Sequence, residues 1–227
     1  MNWRTLHVPR LVPEWLWPRL DAPSVEQRIE QERRKQSLQD RVKEAKWSEH
    51  GEVALEEARR LFDAEQERRR GADNKAGIYL AAITALIPVL ASVLPNLWKD
   101  GIDKVFASVS LLIFAGALSY LMRAGLWAFS TIRVSGFAQL GPSDIAASWD
   151  NGNPQQQLAK QLLLSVSFNM EGTNRKVSCI KMTHEFLLRS FFSFVAFLAI
   201  QATWPMAAWA IETLSAKVIS PLLMCMP

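Results

Sequence analysis

Charged and apolar positions are kept apart along this 227-residue chain. Ala76 to Trp98 carries no charged residue over 23 positions, more than the roughly 20 that a helix needs to cross a hydrocarbon core of about 30 Å. Val105 to Met122 adds 18 uncharged positions, and beyond Arg123 the chain is uncharged again from Ala124 to Ile132. An arginine stem reaches the headgroups from about one turn inside the hydrocarbon edge, so residues 105–132 read as one span, with Arg123 near the membrane surface or facing protein. Ser190 to Ile211 is uncharged for 22 positions. A core helix of a soluble protein normally shows a polar stripe within a window of this length. The pattern predicts an all-α integral membrane protein with three transmembrane helices, at 76–98, 105–132 and 190–211.

The segments around the spans are polar and mostly helical in character. Residues 24–75 form a long charged cytoplasmic region, with 12 basic and 12 acidic residues between Ser24 and Arg70. Its Glu, Gln, Arg, Lys and Ala content favours helix. Apolar positions at Val25, Ile29, Leu38, Val42 and Ala45 hold helical spacing, Ser48 to Gly51 interrupts it, and Leu55, Ala58, Leu61 and Phe62 resume it. Two helices joined by a break are expected. Their narrow stripes suit pairing with another copy or with residues 155–189, or else an exposed helix that extends the first span. In the 133–189 segment, the glycines, prolines, Asp and Asn of Gly136 to Pro154 read as loop. From Gln155 a second helix, with Leu158, Leu162 and Val166 four apart, is expected along the inner membrane face, with a bend at Gly172, feeding the third span through Lys181 to Arg189. The remaining segments are a Trp/Pro-rich stretch at 1–23 and a short outer tail at 212–227. The first of these is broken by Pro9, Pro13 and Pro18 and by Arg4, Arg10 and Arg19, so it is not expected to act as a signal peptide. Trp3, Leu11, Trp15, Leu16 and Trp17 suit either a headgroup layer or packing on a neighbour.

Charge sets a direction for the spans. Ten basic residues (Arg68, Arg69, Arg70, Lys75, Arg123, Arg133, Arg175, Lys176, Lys181 and Arg189) fall on one side, against Lys99, Lys104 and Lys217 on the other. Basic residues translocate poorly, which puts the N-terminus in the cytoplasm and the C-terminus outside, with Trp98, Trp204 and Trp209 near the outer interface. On that topology Cys179 and Cys225 lie on opposite sides, and with only His7, His50 and His184 they offer no metal-ligand spacing.

Enzyme chemistry finds no foothold. With 10 glycines the chain has no GxxxxGK or GxGxxG phosphate loop and no GxSxG elbow, and His184 and Glu185 point to different faces of a helix. The spans contain no buried charge apart from Arg123, which disfavours an ion carrier, and their Ser, Thr and Gln residues suit helix packing. Neither a catalytic site, a resident cofactor, a metal nor a nucleic-acid partner is expected. The informative place is the junction from Arg68 to Gly77, where a charged helix enters the bilayer. Asp73 there needs a cation, and Lys176, Lys181 and Arg189 are all placed to supply it. Arg68, Arg69 and Arg70 are candidates for contact with anionic lipid headgroups or a phosphate ligand.

The stretch Ala72-Asp73-Asn74-Lys75-Ala76-Gly77 resembles the AD-x-KAG motif at the start of the first span in transmembrane effectors of Pycsar, a bacterial antiphage system that uses cyclic pyrimidine nucleotides. That family also has an Asn and a Lys before its last span, and either Asn169 with Lys176 or Asn174 with Lys181 fills those places. Over residues 60–211, the resemblance implies an effector of the bacterial inner membrane that oligomerises in response to an infection signal and impairs membrane integrity. Asp73, Lys75, Asn174 and Lys181 would then form a switch or packing site, with a cyclic pyrimidine nucleotide as activating ligand. A nucleotide-binding jelly roll needs on the order of a hundred residues of β pattern, which residues 1–75 do not offer. The alternative is an adaptor that holds a soluble partner at the membrane through its charged helices.

Overall fold

The computed structural model describes residues 13–20, 23–47, 49–95, 104–133, 136–150 and 152–214, apart from the side chains of Ile211, Glu212 and Leu214. Expectations for Trp3, Leu11, Trp98, Lys99, Lys217 and Cys225 lie outside the described residues. Five α-helices are present among the latter, α1 Val25–Glu44, α2 Gly51–Val93, α3 Lys104–Ile132, α4 Pro142–Trp149 and α5 Pro154–Leu214, and no strand. Helices α2, α3 and α5 are long and apolar enough to cross a membrane. The chain is therefore an all-helical membrane protein with three such segments.

Helix α1 begins at a reciprocal cap. The Ser24 hydroxyl accepts from the Gln27 amide at 3.2 Å and the Gln27 side chain accepts from the Ser24 amide at 2.9 Å, which satisfies two orphan donors of the first turn. The expected break falls after Glu44, and α2 opens at Gly51. Two expectations are corrected. The Gly136 to Pro154 segment contains helix α4, because Pro142 sits at a first-turn position that needs no N–H and the Asp144 carboxylate accepts from the Gly141 amide at 2.8 Å. Gly and Pro counted as loop-formers were here marking a helix boundary. Residues 155–189 feed the third span as expected, but not as a helix of their own laid along the membrane face. They form the first part of α5, which continues through Gly172 into the third apolar stretch.

The chain forms two compact units, the first comprising Met1–Ala81 with Gly125–Thr183 and the second Ala82–Ala124 with His184–Pro227. In the first, α2 and α5 run parallel. A small core of Leu55, Ala58 and Ala159 joins them, flanked by Trp47, Leu158, Leu162 and Leu163. Further along, Arg68 meets Asn174 and Asp73 meets Lys176, partners 106 and 103 residues apart, so the register holds for about five turns. Helix α1 runs antiparallel to α5, since Ala45, Lys43 and Lys35 meet Gln156, Lys160 and Glu171 in that order. Those contacts are polar, and no residue of α1 is buried.

In the second unit α3 and α5 are antiparallel. Phe106 stacks on Trp204 with centroids 4.5 Å apart, Phe114 lies 5.5 Å from Phe197, the Ser190 hydroxyl donates to the Ala117 carbonyl at 2.9 Å, and Tyr120 lies 6.3 Å from Phe186. Ala107 and Ala117 are buried at this seam, where small side chains let the backbones approach. Arg123, three residues beyond Tyr120, therefore lies below the uncharged stretch of α5 that begins at Ser190.

Candidate functional site at the start of the first span

The junction motif lies in the first unit, on the turn of α2 that faces the middle of α5. Ala72 and Ala76 flank Asp73 one residue before and three after, and both are buried, which brings the two backbones close enough for a short carboxylate to reach across. Lys176 Nζ donates to Asp73 Oδ1 at 2.5 Å. The partners are unequally placed, with 7% of the lysine side chain exposed against 36% of the aspartate. Lys176 is thus a nearly desolvated cation whose charge is met by a carboxylate that still touches solvent. Of the three cations placed to meet Asp73, Lys176 is the one that does.

One turn earlier, Arg68 donates to the Asn174 side-chain oxygen at 2.5 Å and lies 3.5 Å from the buried Glu65 carboxylate. Arg69 is held over the Phe137 ring, 4.5 Å from its centroid, and Phe137 also packs against Phe62 at 5.8 Å. Arg70 is exposed, as are Lys75 and Lys181. The three consecutive arginines therefore have separate fates: one bonds α5, one clamps an aromatic ring, and one faces out.

Phe137 belongs to the segment that follows α3, and Asn169 fastens the next residue. The Ala138 amide donates to Asn169 Oδ1 at 2.8 Å, and Asn169 Nδ2 donates to the Ala138 carbonyl at 2.9 Å. A single buried amide side chain thus satisfies both main-chain groups of one loop residue, much as a neighbouring strand would. Asn169, Thr173 and Lys176 are all buried and lie three or four residues apart, so they form one polar seam along α5. Of the two Asn and Lys alternatives, Asn169 with Lys176 is the pair buried in this unit. Asn174 is exposed and bonded to Arg68. Sequence reasoning missed the roles of Phe137 and of Asn169 as a clamp. The signal available was a lone aromatic in a glycine-containing segment, which periodicity does not score.

Cys179 lies on the next turn, buried with a free thiol. Burial pushes the thiol above its usual range, against the opposing pull of Arg175 and Lys176. Among the described residues no group of His, Cys, Asp and Glu is arranged to hold a metal. What the site offers is charge pairing, aromatic clamping and helix packing. No family model, curated protein or solved structure matches the chain.

Proposed function

We propose that the chain is a membrane effector of a bacterial antiphage signalling system, seated in the inner membrane with its N-terminus cytoplasmic and its C-terminus outside. On this reading it assembles as a homo-oligomer when an infection signal arrives and impairs membrane integrity, so that the infected cell stops supporting phage. The signal is a cyclic pyrimidine nucleotide, perceived directly or through a partner. The observation that carries the proposal is the ion pair of Asp73, from the Ala72 to Gly77 motif, with the buried Lys176 of α5. It ties the helix that begins the first span to the helix that becomes the third, at the level where a switch acting on both would sit. Helices α2 and α5 continue without a break from that pair into their apolar stretches.

The test is co-expression with a pyrimidine cyclase under phage challenge while membrane potential is followed with a voltage-sensitive dye. Depolarisation in cells carrying the intact chain, absent with D73N, is the expected result. Full retention of potential throughout challenge overturns the proposal. A second reading, an adaptor that holds a soluble partner, draws support from α1, where Val25 and Ile29 stay exposed one turn apart. Purification as a homo-oligomer without other proteins excludes it.

A further inference from the structure

The cations around the junction are not spent evenly. Between residues 70 and 77 of α2 and residues 174 and 181 of α5 there are five basic residues and one acid. That acid, Asp73, is taken by Lys176. Arg70, Lys75, Arg175 and Lys181 remain, and all four are exposed. The parallel register of α2 and α5 puts Arg70 beside Asn174 and Lys75 near Cys179, so the four fall within about seven residues of helix, or roughly 10 Å at 1.5 Å per residue. A headgroup layer is of similar depth, roughly 5–8 Å on each side of the hydrocarbon, and long side chains extend the reach. The uncharged stretch of α2 begins at Ala76, immediately beyond Lys75. Ile78, three residues beyond Lys75, is exposed, which marks where apolar surface replaces charge.

We infer that Arg70, Lys75, Arg175 and Lys181 form a girdle that binds anionic phospholipid headgroups. Arg68 and Arg69 are not part of it, because Asn174, Glu65 and the Phe137 ring already hold them. The partner is a lipid and not a soluble phosphate, because the four side chains are spread around two helices at one depth, where a layer of headgroups reaches all of them at once. Each basic residue close to an anionic surface contributes enough that losing four weakens preference for the charged lipid by at least about tenfold.

The test is native mass spectrometry of the full-length chain in mild detergent, titrated with dioleoyl phosphatidylglycerol against dioleoyl phosphatidylcholine. The intact chain is expected to retain the anionic lipid preferentially. R70Q/K75Q/R175Q/K181Q is expected to lose that preference, while R28Q/R33Q/R34Q/R41Q, which removes the same charge from α1, keeps it. Should the four-fold girdle variant fail to fold, R70Q/K75Q and R175Q/K181Q separately are each expected to lose part of the preference. An unchanged preference in the girdle variants overturns the inference. So does an equal loss in the α1 variant, which would reflect net charge alone, and so does displacement of the lipid by millimolar inorganic phosphate.

Discussion

Lys176 hides its ammonium against Asp73, yet only the lysine is buried, with 7% of its side chain exposed against 36% for the aspartate. The asymmetry decides which half of the pair matters more. Removing Asp73 leaves a desolvated cation unpaired, whereas removing Lys176 leaves a carboxylate that water still reaches. D73N is expected to destabilise the chain by about 2–3 kcal/mol and K176M by about 1 kcal/mol. Thermal unfolding in mild detergent checks this, and the reverse order would show that the lysine stem, not its charge, carries the stability.

The Asn169 clamp predicts graded effects at a distance in sequence. N169D keeps an acceptor for the Ala138 amide but loses the donor to its carbonyl, and N169L loses both while burying similar volume. The leucine variant is expected to cost about 2 kcal/mol and the aspartate variant less. Hydrogen exchange at the Ala138 amide reads the clamp directly. It should accelerate in N169L and change little in N169D.

Within the apolar stretches, the hydroxyl groups that donate do so in two ways. Ser108, Ser119 and Thr203 donate to carbonyls of their own helix, as isolated helices also permit. Ser190 donates across to the Ala117 carbonyl on α3 and is 2% exposed. S190A is expected to weaken the α3–α5 pairing by about 0.6 kcal/mol, with S119A neutral. Unfolding measured by steric trapping separates the two. Equal effects would mean that the cross-helix bond contributes nothing of its own.

Cys179 offers a probe of the first unit's packing. Its thiol is raised by burial, so less thiolate is present near pH 8 than in a free cysteine. In a C225S background, maleimide labelling at pH 8 is expected to be at least about tenfold slower than in denaturant. Because the folded state holds the proton more tightly than the unfolded one, stability is intact below the ordinary thiol range. It declines as pH rises through that range toward the raised value. D73N should speed the labelling if it loosens the turn that carries Lys176. A stability that instead rises with pH across that window would contradict the buried thiol.

The spans were legible because lipid imposes one demand on a long segment, and Ala76, Val105 and Ser190 each begin a run of residues that meets it. The break between α1 and α2 was legible for a similar local reason, since Ser48 to Gly51 interrupts a periodic pattern. Helix α4 was not, because Pro142 and Gly141 carry opposite meanings inside and at the edge of a helix, and which applies depends on whether Asp144 turns back to cap the Gly141 amide. That residues 155–189 lead into the third span was legible, but not that they do so as part of one helix. The charges from Lys181 to Arg189 look like a boundary in one dimension and prove to be positions along one continuous helix.

At the junction, sequence alone determined that an acid beside a bilayer needs a cation and that Lys176, Lys181 and Arg189 were within reach. It also placed three arginines together without distinguishing them. Only tertiary structure chose Lys176, because the choice depends on the register of α2 against α5, set far away by Leu55, Ala58 and Ala159. The same register separated Arg68 and Arg69, held by the protein, from Arg70, which faces out. Hydrophobic runs are properties of a segment and survive in one dimension. Partners more than 100 residues apart, such as Asp73 and Lys176, are properties of how two helices pack, and no local pattern encodes them.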